Sequence, residues 1–302
     1  MSVTSATRNL NELLAGAQLP ALPQSAIRLL ELSQDEENGP PEFAVPIEVD
    51  PGLTGQVLRF VNSSYFGFPR EISSVKLAIT LVGVRTIKNF ALWSAVFSLM
   101  PNPKCGPFDL KNLWQDSLRR GLFARAVGNI LGFHESEDLF AAALLQDMAI
   151  PLLAKELPED YRELFESRNA KTERLSVLEF DRFGWTHADA AALMARSWSL
   201  PENFADLISS HVDLEAAIAS KEPGNIAVAM SSFLPATSDP EWHECGMFEE
   251  AYNRVKPKDG PQAVDFMEQV DVGFEEFAPV LKLAKPARSL VELYSKHILN
   301  ER

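Results

Sequence analysis

Asp147 is the side chain whose setting most invites chemistry: a carboxylate inside the run AAALLQDMAIPLL, where its neighbours are almost all apolar. Dry surroundings penalise its charge, so it must be hydrogen-bonded, paired or ligated to a cation. The expected role is the hydrogen-bonded one, with metal ligation and the lining of a polar pocket as alternatives. His187 follows Thr186, a helix N-cap, and a first-turn histidine reads as a local hydrogen-bonding residue before it reads as a ligand. His211, near a helix end, is read the same way. Asn62-Ser63 closes another helix, where a side-chain amide and a hydroxyl satisfy free backbone groups; direct contact with a partner is the alternative. His134, His243 and His297 fall in loops or on polar faces and suggest no function. Trp114 and Trp198 read as inter-helix packing rather than a stacking surface. The two cysteines, Cys105 and Cys245, lie far apart and read as buried thiols in a reducing compartment. There is no Gly-rich phosphate loop, no Ser-His-Asp spacing and no Cys-His pairing.

Helices must position these residues, because three- and four-residue apolar spacing runs the length of the chain and alternating runs are scarce. The expected fold class is all-α. Pro20 and Pro23 preset a helix from Gln24, and residues 34–41 read as an acidic loop before a helix over 42–48. Asp50-Pro51 is an N-cap followed by proline at the first helical position, opening a helix that carries Leu53, Val57, Leu58 and Val61. Ser73 or Ser74 caps a helix over 75–81, and Gly83 precedes an apolar one over 84–99. Pro101, Pro103, Gly106 and Pro107 then mark the clearest boundary. Beyond it, 113–131 is one long amphipathic helix ended by Gly132. Residues 139–154 form a central buried helix that Pro151 kinks or shortens, and 161–183 reads as a surface helix. Thr186 to Asp189 is a capping box, Leu200-Pro201 opens the next helix, and three or four more follow Lys221. The expected division is 1–105, an N-terminal helical subdomain; 106–220, a second helical bundle; and 221–302, a helical C-terminal extension.

Composition narrows the function classes. With 302 residues, 46% of them hydrophobic, the chain is globular. Its 28 Lys and Arg against 42 Asp and Glu give a net charge of -14, which disfavours the phosphate-neutralising mode of nucleic-acid binding. The N-terminus has no basic cluster followed by an apolar stretch, and the longest apolar windows fall short of the ~20 residues a bilayer crossing needs. The expectation is a cytoplasmic protein with no nucleic-acid or membrane partner.

The runs LPALPQSAIRLLEL and VDPGLTGQVLRFVNSSYFGFPREISSVKLAITLVGVRTIKNFAL resemble the first half of an HDOD domain, a bacterial signalling module related to HD-type phosphohydrolases. Leu19-Pro20, Leu22-Pro23, Asp50-Pro51, Asn62-Ser63, Ile72, Ala78-Ile79, Leu81 and Gly83 carry that likeness, each weak alone but specific in order and spacing. The second half resembles the same family through Leu113-Trp114, Ser117, AAALLQDMAIPLL, Glu179, Phe183-Gly184, His187, Trp198, Leu200-Pro201 and His211. The likeness spans roughly residues 15 to 215 and implies an N-terminal helical bundle packed on an HD-like bundle.

HD-type hydrolases hold one or two cations with a histidine, an adjacent His-Asp pair and later His or Asp ligands, to bind and activate water. By the resemblance, Asp116 stands where the first histidine would, Gln146 replaces the histidine of the pair, and Asp147 keeps its aspartate. A glutamine offers only a neutral carbonyl oxygen in place of an imidazole nitrogen. The family's glycine and lysine after the pair fall on Ala149 and Ile150, which removes a cation that could contact phosphate. Asp116, Asp147, His187 and His211 could still be assembled around a metal. The resemblance therefore implies a relic pocket with no catalytic residue, no bound metal and no cofactor. It also implies a regulatory protein that binds other signalling proteins such as response regulators or cyclic-dinucleotide enzymes. The competing readings are a metal-dependent phosphohydrolase with atypical ligands, and a sensor of nucleotides or other small ligands.

Overall fold

The computed structural model describes residues 9–17, 19–35, 37–171 and 173–300; residues 1–8, part of the N-terminus read above for a secretory signal, lie outside it. The described residues contain no strand. In the N-terminal part the helices are α1 (Leu10–Gly16), α2 (Gln24–Leu32), α3 (Pro40–Glu48), α4 (Pro51–Val61), α5 (Val75–Val82) and α6 (Val84–Leu99). The long α7 (Leu110–Ile130) follows, then α8 (Ser136–Leu145), α9 (Ile150–Glu156), α10 (Pro158–Lys171), α11 (Leu175–Phe183), α12 (His187–Ser197) and α13 (Glu202–Ser210). The chain ends through α14 (Leu214–Ser220), α15 (Pro223–Ser231), α16 (Cys245–Val255), α17 (Ala263–Phe277) and α18 (Leu290–Asn300).

Local chemistry accounts for most of the helix starts. Asp50 Oδ1 accepts from the Leu53 amide at 3.0 Å, Ser74 Oγ from Leu77 at 3.3 Å, and Asp109 Oδ1 from Lys111 and Asn112 at 2.7 and 3.1 Å. Asp189 closes the capping box on Thr186 at 2.8 Å. Helix α3 begins two residues before the expected Glu42, because Pro40 and Pro41 occupy its first turn, where no amide is needed.

Two expected helices are each two. The buried run over 139–154 breaks at 146–149 between α8 and α9. Pro151 lacks an N–H, and its ring crowds the carbonyl four residues back, that of Asp147. The chain tightens there instead, with Met148 bonded to the Leu145 carbonyl at 3.0 Å and Ile150 to that of Asp147 at 3.1 Å. The expected surface helix over 161–183 divides into α10 and α11. Its Tyr161 and Glu179 are fully buried, so this pair of helices has an inward face.

Helix α7 is the axis of the fold, with α8, α15 and α17 packed along it. Gly121 lets α8 approach: a Cβ there would stand 3.0 Å from the Phe140 carbonyl oxygen. Helices α15 and α17 of the C-terminal extension therefore complete the core around α7. Phe277 reaches the N-terminal bundle, its ring 5.0 Å from Phe60 and 5.6 Å from Tyr65. Trp114 and Trp198 pack as expected: Trp114 stacks on Phe97 at 3.4 Å, and the Trp198 indole donates to the Pro20 carbonyl at 2.9 Å. Cys105 and Cys245 are both buried, as expected. No described helix is long and apolar enough to cross a membrane.

Candidate functional site: a buried His-His-Asp centre under a strapped loop

The break between α8 and α9 turns Asp147 toward the N-terminus of α12 and the C-terminus of α13, where His187 and His211 stand. Asp147 Oδ1 is 3.3 Å from His187 Nε2 and 3.6 Å from His211 Nε2, and the two Nε2 atoms are 3.2 Å apart. All three residues are buried.

Each imidazole is oriented from behind. His187 Nδ1 meets Glu179 Oε2 at 2.6 Å, the same oxygen accepts the His187 amide at 2.8 Å, and the Tyr161 hydroxyl donates to Oε1 at 2.7 Å. Glu179, fully enclosed, is thus satisfied by three donors. His211 Nδ1 lies 2.6 Å from the Ile208 carbonyl, which only accepts, so this nitrogen carries the proton and Nε2 faces the centre. Burial, then the neighbouring His187, hold His211 well below the usual histidine range, and it is neutral near pH 7.

The cation beside this carboxylate is Arg120, one turn after Asp116 on α7, whose guanidinium pairs with Asp147 Oδ2. Asp116 itself does not join the cluster: its Oδ1 accepts the Thr237 amide at 2.6 Å, and burial raises its pKa. Gln146 also faces away, its Oε1 accepting from Ser231 at 3.2 Å. Of the sequence candidates, then, Asp147, His187 and His211 converge while Asp116 and Gln146 serve neighbouring contacts. Asn62 lies elsewhere, clamping Ile72 through both backbone groups at 2.7 Å, and the Ser63 hydroxyl donates to the Phe60 carbonyl at 2.7 Å.

A cavity of about 470 Å³ opens over the centre. Its roof is the 232–244 loop between α15 and α16, tied down by long-range contacts. Arg168 grips Asp239 with two bonds of 2.9 and 2.7 Å. Arg174 pairs with Glu244 at 3.3 Å, donates to Ser232 Oγ at 2.7 Å and lies over the Phe233 ring at 3.9 Å. Burial lowers the pKa of Arg174 and raises that of Glu244. His243, read as a bystander, lines this cavity. The sequence reading missed Arg120, Arg168 and Arg174, and it noted Glu179 without a role.

Asp147, His187 and His211 supply three donors within 4.8 Å of one another, the start of a cation site. The remaining chemistry does not fit a hydrolytic metal: the only carboxylate of the three is already neutralised by Arg120, whose charge would oppose a divalent ion. Asp116 is occupied by the roof, and Gln146 points away.

Residues 19–214 match the HDOD domain. The chain belongs to the HDOD family. Among solved structures, an HDOD domain protein from Geobacter sulfurreducens is similar at 21% identity with a TM-score of 0.70, covering 91% of this chain and 97% of its own. A signal transduction protein from Marinobacter aquaeolei VT8 is similar at 18% identity and TM-score 0.67, over 97% of this chain and 68% of that one. A phosphohydrolase from Shewanella amazonensis SB2B follows at 20% identity and TM-score 0.63, over 97% and 98%. At these identities the likeness is one of fold. An uncharacterized protein of Treponema pallidum (strain Nichols) is 25% identical over 215 residues, 70% of this chain and 41% of that protein, so the chain spans less than half the length of this relative. The HDOD match ends at 214, so the roof loop, with Asp239 and Glu244, lies beyond it.

Proposed function

We propose that this chain is a cytoplasmic signalling module that acts by binding another protein, and that its HD-like centre is a hydrogen-bonded scaffold rather than a hydrolytic site. The observation that carries this reading is the Arg120–Asp147 ion pair: the guanidinium supplies, as a fixed part of the protein, the positive charge that a hydrolase draws from its metal. A cation held on a side chain neutralises the carboxylate but offers no open coordination position for water. The roof fits the same role, because its ties to Arg168, Arg174 and Asp116 join α15–α16 to α7 and α10–α11 across the centre.

The test is turnover. The chain incubated with ribonucleotides, cyclic dinucleotides and a chromogenic phosphodiester, each with Mn²⁺, Fe²⁺ or Mg²⁺, should release no more product than its Asp147→Asn and His187→Gln variants. Hydrolysis present in the parent chain and lost in both variants would overturn the reading.

A second reading has its own supporting observation. Two Nε2 atoms and a carboxylate oxygen converge, and the other nitrogen of each imidazole is held by a carboxylate or a carbonyl, as in metal-ligating histidines. Under that reading Arg120 is displaced when an ion binds, and Co²⁺ titration of the untreated chain should give visible absorption that His211→Gln removes.

A further inference from the structure

The outer face of α11 differs from its inner one. Glu179 points inward to His187, whereas Val177 and Phe180 are 42% and 61% exposed. Across from them on α16, Met247 is 55% exposed. All three border a groove of about 610 Å³ whose floor includes Leu214, Phe233 and Ala251. Exposed aromatic and thioether groups around a concave apolar floor are the features of a binding surface rather than of ordinary solvated helices.

The rim is predominantly acidic. Asp181, Asp213, Glu215 and Glu250 line the groove, against the single guanidinium of Arg254, which already holds Glu215 with bonds of 2.7 and 3.0 Å. The whole chain carries -14. This rim repels an anionic lipid surface and disfavours a second copy of the same acidic chain, while it attracts a basic partner. The groove runs between two helices, a form that accepts the apolar side of a third.

We propose that the groove between α11 and α16 docks a basic amphipathic helix of a partner protein, with Phe180 and Met247 as apolar anchors and the acidic rim selecting lysine and arginine. This rests on the reading that the chain works by binding a protein, and it names the surface and the chemistry of that partner. Ser176 and Val212 line both the groove and the cavity over the His187–His211 pair, so the docking site backs directly onto the polar centre.

The probe is a fluorescein-labelled 18-residue peptide with leucine on one helical face and lysine on the other, titrated with the full chain by anisotropy. Its control is the same peptide with glutamate for every lysine. The lysine peptide should bind, and Phe180→Ser should weaken it by at least about tenfold, as loss of a buried aromatic anchor does. Asp181→Lys/Glu250→Lys should weaken it further and flatten its salt dependence. Leu77→Ser, an exposed position on α5, should leave binding unchanged. Equal binding of the glutamate peptide, no binding of the lysine peptide, or no effect of Phe180→Ser would each overturn the proposal. So would a concentration-dependent dimer abolished by Phe180→Ser in sedimentation, which would put a second copy in the groove. Binding lost through Leu77→Ser instead would move the docking face but leave the broader reading intact, whereas phosphodiester turnover would overturn that reading and leave the groove standing. Unchanged thermal midpoints establish that these exposed substitutions do not act by unfolding.

Discussion

Replacing Asp147 by alanine should destabilise the protein far more than its small volume implies. The carboxylate side chain is 4% exposed and that of its partner Arg120 15%, so the variant leaves a largely buried guanidinium without its carboxylate. Breaking such a buried pair from one side costs about 3–5 kcal/mol. Asp116, one turn earlier on α7, also attracts Arg120 and offsets part of that loss, which favours the lower end, about 3 kcal/mol. At roughly 2–4 °C per kcal/mol for a chain of this size, the melting midpoint should fall by roughly 6–12 °C. The double variant Arg120→Met/Asp147→Leu removes both charges and should recover to within about 1 kcal/mol of the parent. Thermal unfolding of the parent, both single variants and the double variant, at one scan rate and with and without chelator, completes the cycle. A drop below about 3 °C for Asp147→Ala, additive single effects, or a parent midpoint lowered by chelator would refute the assignment of Arg120 as the resident cation.

Three further outcomes follow from the same geometry. His211 is buried in its neutral form, so its folded pKa lies below the unfolded value; the unfolded chain binds the extra proton, and stability is lost as pH falls below about 6.5. The raised pKa values of Asp116 and Glu244 act in the opposite direction, so the quantity to measure is the parent minus His211→Asn, which should fall by up to about 1.4 kcal/mol per pH unit in urea melts from pH 6.5 to 5.5. Asn62→Ala removes both bonds to the Ile72 backbone and should cost about 1–3 kcal/mol by the same melts, with no effect on binding of the lysine peptide. Gly121→Ala should lower the melting midpoint, since the Phe140 carbonyl stands in the way of its Cβ, although alanine gains about 1 kcal/mol in helix propensity.

What could be read in advance was whatever depends on near neighbours in the chain. Asp50 and Ser74 cap the amides that follow them, and Asp189 caps the Thr186 amide, because a capping side chain reaches only two or three residues along. The extent of the long α7 was visible in its three- and four-residue apolar spacing, but its enclosure was not: Gln115, Asp116, Ser117 and Arg119 are buried beside Leu118 and Leu122, so α7 is a central helix rather than a one-sided amphipathic one. That Pro151 disturbs the run over 139–154 was legible, but the place of the break, 146–149, was not, because proline acts up to four residues upstream, where the apolar pattern continues without interruption. Arg120, Arg168 and Arg174 were invisible for a different reason. On an amphipathic helix an arginine reads as solvent-facing, and only the fold brings Asp147, Asp239 and Glu244 to it from 27, 71 and 70 residues away. The roof could not be foreseen either, since it is built from the extension beyond the HDOD match. By contrast, Asp147, His187 and His211 were all named as candidates, although the separation of Asp116 and Gln146 from them needed three dimensions.

The most direct test of the account is the metal content of the chain purified without chelator, measured by inductively coupled plasma mass spectrometry. Well under one tenth of an equivalent of Fe, Mn, Zn or Co, unchanged in His187→Gln and His211→Gln, is the predicted result, because Arg120 already neutralises Asp147. Close to one equivalent of a single metal, lost in both variants, would contradict it.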